Sequence, residues 1–465
     1  MTSLLTGARQ WAWSASACVA GVALLAAFVS IGGDWDWLVA FGDIIRRTGA
    51  VPESVPYAAV DTSGWHNVPV LAELVASLLH SAGARVPVLA HLVAVAVALA
   101  TLAAAARARG ASDPVVAGAV GSLVMGSLAT LGIVRAQTLS LVPFALLLAL
   151  VVRQHRRPDR GIWWAVPLVA VWGNLHGAAL LGTCVLGAYL VVDRLRLRPA
   201  ETVAVGIASL AALCATPQGW HTPRYYAQVF DNVAAERAEG LWARPSLSAP
   251  FDVLMLVVAA LLLVLFVRAR RPLWEYVAVA GLCLATASAA RHGVWLLFLL
   301  VALAPAPRDP SDRAERPDGS DQRPAPTRVG MVLAVAASLA VALPLAASRG
   351  SSVLVAGPDV VDRVADLARS SGDDVVVLAP VPLSESLAVA GVRLWASNPL
   401  DAFSHADQAA YLDFLGGQDG MLRAVEQSDL VVTREGTRAE DVVAGIDGLQ
   451  VVECPDGWTC RIRTP

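Results

Sequence analysis

Long apolar runs dominate the chain, separated by short polar and arginine-rich segments. A helix that crosses a bilayer needs about 20 predominantly apolar residues. Trp11–Ile31 meets that length, carries no charge and follows Arg9, as a retained anchor does rather than a cleaved leader. Ten further runs follow: Val86–Ala106, Val115–Val134, Thr138–Val152, Ile162–Trp172, Ala178–Val192, Val203–Ala215, Val253–Val267, Tyr276–Ala290, Gly293–Ala304 and Gly330–Ala346. The pattern predicts a polytopic α-helical membrane protein of about 11 transmembrane helices, several of them short.

One stretch, Val68–Ala82, is patterned differently. Glu73, Ser77 and His80 fall on one helical face, and Leu71, Leu74, Val75, Leu78 and Leu79 on the other. Such a helix lies along the interface rather than spanning it. Charge supports that choice. If the stretch does not span, the basic loops share one side: Arg107 and Arg109; Arg153, Arg156, Arg157 and Arg160; Arg194, Arg196 and Arg198; Arg268, Arg270 and Arg271. The positive-inside rule then predicts a multi-pass cell-membrane protein with a cytoplasmic N-terminus and an external C-terminus. A long first external loop, 32–85, carries two juxtamembrane helices. In the first of them Trp37, Leu38, Phe41, Ile44 and Ile45 oppose Asp43, Arg46 and Arg47.

The C-terminal third changes character. Residues 306–328 are rich in Pro, Asp and Arg and read as a disordered cytoplasmic linker between a membrane domain, 1–305, and a last span, 329–347. Beyond it, 348–465 alternates expected strands (Ser352–Val355, Asp374–Leu378, Val392–Trp395, Leu430–Val432, Val451–Cys454) with expected helices (Pro358–Ser370, His405–Leu415, Arg438–Ala444). Alternation of this kind predicts a small extracytoplasmic α/β domain. Cys454 and Cys460 flank a turn; a hairpin disulfide and two reduced thiols both fit the spacing.

Composition agrees. Hydrophobic residues make up 56% and charged residues 16% of 465 positions, against about 45–50% and 25% in soluble chains. That excludes a purely soluble enzyme and a disordered protein. Net charge is −3 and lysine is absent, so no basic field recruits nucleic acid.

Polar groups near membrane depth are costly and mark candidate function. They gather at the ends expected to face outward: Asp34 and Asp36, His66 and Asn67, Glu73, Arg135 and Gln137, Asn174 and His176, Arg291 and His292. Asp34 and Asp36, spaced D-x-D, suit a divalent cation such as Mg²⁺ or Mn²⁺, or general-base duty; solvated acids at a helix boundary are the plain alternative. Arg135 and Arg291 suit a phosphate clamp or simple snorkelling. Asn174 and His176 mark a reversal between two apolar runs and suit sugar hydroxyls or a phosphate oxygen. The aromatic loop 217–250 suits sugar stacking or an interfacial belt.

Several segments then look familiar in their order: GDWDWLVAFGDIIRRTGAVPESVPY after the first span, GWHNVPVLAELVASLLH closing the same loop, RAQTLSLVPFALLLAL, VWGNLHGAALLG and ATPQGW. Over about residues 30–220 the chain resembles the GT-C superfamily of polytopic glycosyltransferases, and more closely the RgtA/B/C/D-like bacterial membrane proteins. The resemblance implies a sugar donor linked to a polyprenyl phosphate and a glycan or glycolipid acceptor among membrane lipids. It implies an acidic base or metal ligand in the first loop, matched by Asp34 or Asp36. It also implies a basic residue on the donor phosphate, matched by Arg135 or Arg291. Relatives often carry a His shortly after the first acid, where this chain has Leu38. Three functions stay open at this level: an inverting glycosyltransferase, a non-catalytic envelope assembly factor acting through its tail, and a lipid or glycan transporter.

Overall fold

The computed structural model describes residues 10–305, 325–349, 357–372 and 374–464. Arg9, residues 306–324 of the expected linker and the expected strand Ser352–Val355 lie outside the described residues. The chain forms two compact units. One contains the described residues of Met1–Val29, Val88–Leu213 and Leu241–Gly350; the other contains those of Ser30–Pro87, Cys214–Gly240 and Ser351–Pro465.

The first unit is a bundle of α1 (Ala12–Phe28), α4 (Val86–Ala108), α5 (Asp113–Gly126), α6 (Thr138–Arg156), α7 (Ala165–Gly173), α8 (Ala179–Val192), α9 (Pro199–Leu213), α11 (Pro250–Val267), α12 (Leu273–Ser288), α13 (Gly293–Ala302) and α14 (Ala325–Ala347). Among the described residues, α4, α6, α11 and the Val329–Ala347 part of α14 are long and apolar enough to cross a membrane. The other apolar runs form shorter helices, for local reasons. Val115–Val134 breaks at Ser127, where α5 has ended and a separate turn, Leu128–Leu131, begins. Ile162–Trp172 opens in a 3₁₀ turn, Arg160–Trp164, which leaves nine residues for α7. At 1.5 Å per residue a 14-residue helix such as α5 rises about 21 Å, short of a hydrocarbon core of about 30 Å. The last span also begins earlier than its apolar run, because α14 takes in the end of the expected linker from Ala325.

Burial separates the helices by role. Most of α4 is buried, whereas α11 and α14 leave apolar side chains such as Val257, Val267 and Val332 about 60% exposed. An apolar flank of that kind suits lipid. The bundle is pinned by polar contacts at helix ends. The Asp113 carboxylate accepts from the backbone N–H groups of Trp13 (2.8 Å) and Ser14 (3.2 Å), satisfying donors that the first turn of α1 leaves without partners. Arg109 pairs with fully buried Glu275 at 2.8 Å, and Arg271 approaches it at 3.6 Å. Arg194, also fully buried, donates to Gln154 (2.9 Å), the Asp159 carbonyl (2.8 Å) and Glu201 (2.9 Å). The His155 and Trp274 rings meet at 5.9 Å, and with the contacts above this brings the loops at 107–109, 153–160, 194–201 and 268–275 together at one end of the bundle.

The second unit joins the first loop to the tail. A four-stranded sheet has the order β1 (Val377–Leu378), β2 (Leu430–Arg434), β4 (Trp458–Arg463), β3 (Leu449–Val452), with β1 parallel to β2 and the other pairs antiparallel. Around it lie α15 (Pro358–Ser371), α16 (Leu383–Val389), α17 (His405–Gly416) and α18 (Arg438–Ala444). Cys454 and Cys460 are disulfide-bonded across the turn before β4. The expected strand Val392–Trp395 is reduced to bridges from Leu394 to Val377 and to Ala58. Its edge is taken by the first loop: Leu394 N donates to the Tyr57 carbonyl (2.8 Å) and Ala59 N to the Leu394 carbonyl (2.7 Å).

The loop supplies α2 (Gly33–Thr48) and α3 (Val70–Ser81), and Thr222–Phe230 forms α10. Phe41, Tyr57 and Trp65 are buried in one hydrophobic core with Leu378, Leu394, Trp395 and Phe414. The apolar face of α2 is therefore spent on the tail, and loop and tail fold as one body. The boundaries thus fall differently from a membrane domain carrying its own loop and a separate domain at 348–465. Helix α3 turns its polar face onto α2. Ser77 donates to Asp43 and accepts from Arg46 (2.9 Å), while Leu71 and Leu78 point outward. The approach is close enough that a Cβ at Gly42 would overlap the Glu73 carbonyl. At 12 residues, α3 rises about 18 Å, too short to span.

Candidate active site

Asp34 and Asp36 occupy the first turn of α2, after Gly32 in extended conformation. Carboxylates are favoured there by the helix dipole. Both are half-buried. The Asp36 carboxylate accepts a 2.7 Å hydrogen bond from the Ser386 hydroxyl of α16. Burial raises its pKa from the ordinary aspartate value; the Ser386 donor and the nearby His80 imidazole oppose the rise, and the negative charge of Asp34 adds to it. Gly33 lies against α16 so tightly that a Cβ would come within 2.8 Å of Pro382 Cβ and 3.1 Å of the Glu385 carboxyl.

Glu385 is a third carboxyl at this place. It is fully buried, accepting from Asn398 Nδ2 (2.5 Å) and Ser384 Oγ (3.0 Å). Tyr411 and Ser397 extend this network through Ser384 at 3.1 and 3.2 Å. Burial, helped by the charge on Asp34, pushes Glu385 up to about 7, against its hydrogen bonds. Among the described residues, no three His, Cys, Asp or Glu side chains form a group able to hold a metal ion. Asp34 and Asp36 are the residues that would hold Mg²⁺ or Mn²⁺, since Mg²⁺ is commonly bound by one or two carboxylates together with water and substrate phosphates.

Glu73 and Asn67 lie elsewhere in the same body. Asn67 Nδ2 donates to Glu73 Oε2 at 2.9 Å, and both side chains are fully buried. Glu73 Oε1 and Asn67 Oδ1 have no partner among the described residues. Burial pushes Glu73 up to about 8, with only the Asn67 bond opposing it. His66 bonds the Gly64 carbonyl at 2.8 Å and meets the His221 ring edge-on at 5.4 Å.

In the helical bundle the remaining candidates gather at the end opposite the arginine loops. Gln137, just before α6, donates to the Arg291 carbonyl at 3.2 Å. His176, in the reversal between α7 and α8, bonds Ser140 at 3.0 Å and lies in the fields of Arg135, Arg291 and His292. The Arg291 guanidinium stacks 3.7 Å from the centre of the Trp242 ring, a cation–π contact that fixes its fork. His292 bonds the Ala285 carbonyl at 2.9 Å. Asn174 turns back to the Ala170 carbonyl at 2.9 Å, closing the end of α7. The structure therefore brings Arg135, Gln137, His176, Arg291 and His292 together, and it groups Asp34 with Asp36.

No family model matches the chain, and no curated protein sequence does either. Solved structures do. ArnT from Cupriavidus metallidurans, bound to undecaprenyl phosphate, superposes with a TM-score of 0.50 at 12% identity, over 96% of this chain and 97% of that one. The chain has the GT-C fold. Two fainter likenesses are the oligosaccharyltransferase AglB from Archaeoglobus fulgidus, in complex with an inhibitory peptide and a dolichol-phosphate, and the mycobacterial arabinofuranosyltransferase AftD. AglB gives a TM-score of 0.47 at 12% identity over 91% of this chain and 69% of that one. AftD gives 0.47 at 15% over 97% and 40%.

Within this GT-C fold the sequence pattern missed Glu385 and Ser386 as partners of the acids, and it gave Trp242 only as one aromatic of the loop 217–250, not as the partner of Arg291. His80 was visible as part of the polar face of Val68–Ala82, but its neighbour Asp36 was not. Glu385 and Ser386 stand 350 residues from the acids they face, with no local spacing to announce them. Buried His91, bonded to Thr138 (2.9 Å) and the Leu131 carbonyl (2.8 Å), was hidden within an apolar run.

Proposed function

We propose that the chain is an integral-membrane glycosyltransferase. It moves a hexosyl or pentosyl group from a polyprenyl-phosphate donor to a lipid or glycan acceptor of the cell envelope, at the outer leaflet. The observation that carries this reading is the GT-C fold, matched along almost the whole length of both chains by a protein bound to undecaprenyl phosphate. The acidic pair supports it further, since a carboxylate raised by desolvation is suited to general-base work. In this reading Asp36, with Asp34 beside it, takes the proton from the acceptor hydroxyl. The oxygen attacks the anomeric carbon with inversion, and the phosphate leaves with the bonding pair. Arg135 and Arg291 hold the phosphate, and the Trp242 stack keeps the Arg291 fork oriented for bidentate contact. Gln137, His176 and His292 complete a donor-rich surround, which stabilises charge as it develops on the leaving group. Cytoplasmic arginine loops and an external tail follow from the charge pattern.

The test is transfer from a labelled polyprenyl-phosphate sugar by purified protein in nanodiscs. The double substitution Asp34→Asn with Asp36→Asn should abolish transfer while leaving expression and thermal unfolding unchanged. Full transfer by that variant would overturn the mechanism.

A further inference from the structure

We propose that Ser386 of α16 is the positioning residue for the Asp36 carboxylate, so that the tail of the chain is part of the reaction centre and not an appended module. The inference rests on the reading of Asp36 as the general base.

Three observations on one face of α16 converge on α2. Ser386 Oγ donates to Asp36 Oδ2 at 2.7 Å, across 350 residues of sequence. Gly33, one turn away from Asp36, leaves no room for a Cβ against Pro382 and Glu385. Glu385, the residue before Ser386, is fully buried and fixed by Asn398 and Ser384, so α16 cannot rotate without breaking that network. A hydroxyl held this rigidly fixes one oxygen of Asp36 and leaves the other to face an acceptor. It also sets the proton affinity of the base, because a donor to the charged form favours that form. The charged and titratable groups facing Asp36 are Asp34 on its own helix, His80 on α3, and Glu385 beside Ser386 on α16. Of these elements, only α16 supplies a neutral donor bonded directly to the carboxylate.

Ser386→Ala and Ser386→Thr separate this role from a merely structural one. The full-length protein in nanodiscs is titrated by pH-difference infrared spectroscopy, with Asp36→Asn identifying the Asp36 carboxyl band. The protonation midpoint of Asp36 should rise by about one pH unit in Ser386→Ala and return in Ser386→Thr. An unchanged midpoint in Ser386→Ala overturns the proposal, whatever the enzyme does. In the transfer assay, Ser386→Ala should lower kcat about tenfold with little change in KM, move the acid limb of the pH profile upward, and be rescued by Thr. Full kcat in Ser386→Ala, with Asp36→Asn inactive, also overturns it. Activity retained in Asp36→Asn instead removes the base assignment, and the infrared midpoint then decides the Ser386 contact alone.

Discussion

Asp36 and Glu73 are carboxyls on neighbouring helices of one folded body, and desolvation raises both. They differ in company. Asp36 is half-buried, takes a donor from Ser386, and feels Asp34 and His80. Glu73 is sealed, takes one donor from Asn67, and leaves its second oxygen without a partner among the described residues. A carboxyl with charged neighbours and an open side is placed to change protonation during a reaction. A sealed carboxyl with a single amide partner is placed to stay neutral and hold two segments together. Both stood out equally as external acids in the sequence; their surroundings divide them. The largest expected effect tests that division. Asp36→Asn should reduce transfer by about 10³-fold, the range of a lost general base, with unfolding unchanged. Glu73→Gln, which resembles the neutral acid, should keep transfer within about twofold at pH 7. Equal losses in the two variants would erase the contrast.

The next effect asks whether the two carboxyls depend on one helical pair. Gly42 allows α2 to pass directly over the Glu73 carbonyl, where no Cβ fits. Gly42→Ala must push α3 away, at about 1–3 kcal/mol for overpacking against backbone. The unfolding temperature should fall, and with it transfer, because His80 moves away from Asp36 as α3 shifts. A Gly42→Ala protein with wild-type unfolding would show that the pair is looser than its geometry implies.

How much of this was legible beforehand follows from what local patterns carry. The two-faced pattern of Val68–Ala82 correctly gives a short helix with Glu73, Ser77 and His80 on one side. It gives the wrong idea of where that side faces, because an isolated amphipathic helix is assumed to show its polar face to water. Here Ser77 bonds Asp43 and Arg46, and the leucines face out. Similarly, Leu38, Phe41 and Ile45 read as lipid-facing from their spacing, whereas Phe41 sits among Leu378 and Trp395. Spacing reveals an apolar face but not its partner. The tail helices expected at Pro358–Ser370, His405–Leu415 and Arg438–Ala444 form at Pro358–Ser371, His405–Gly416 and Arg438–Ala444. The Ser386–Asp36 bond was not legible, since the two residues lie 350 positions apart and no local spacing links them. The arginine loops fell between these cases. Their shared end was readable from charge, yet the burial of Arg194 against Gln154 and Glu201 makes it a structural residue that charge counting treats like its exposed neighbours.

The smallest effect is also the most specific to Glu73. Its folded pKa is pushed up to about 8 from an ordinary 4.5. Between those values the native state binds a proton that the unfolded chain has lost, so stability falls as pH rises. The contribution is complete below about pH 4.5 and is gone once pH passes through about 8. Glu385, pushed up to about 7, adds a loss of the same sign over a narrower window. The Glu73→Gln variant retains the Glu385 part and loses the Glu73 part. Thermal unfolding of wild type and variant in the same detergent should therefore coincide near pH 5 and separate toward pH 9, with the variant unfolding at the higher temperature by a few degrees. Curves that run parallel across that range would mean that Glu73 is already ionised in the folded protein. Its unpartnered oxygen would then have to be reached by water or another donor, and the sealed half of the comparison with Asp36 would be gone.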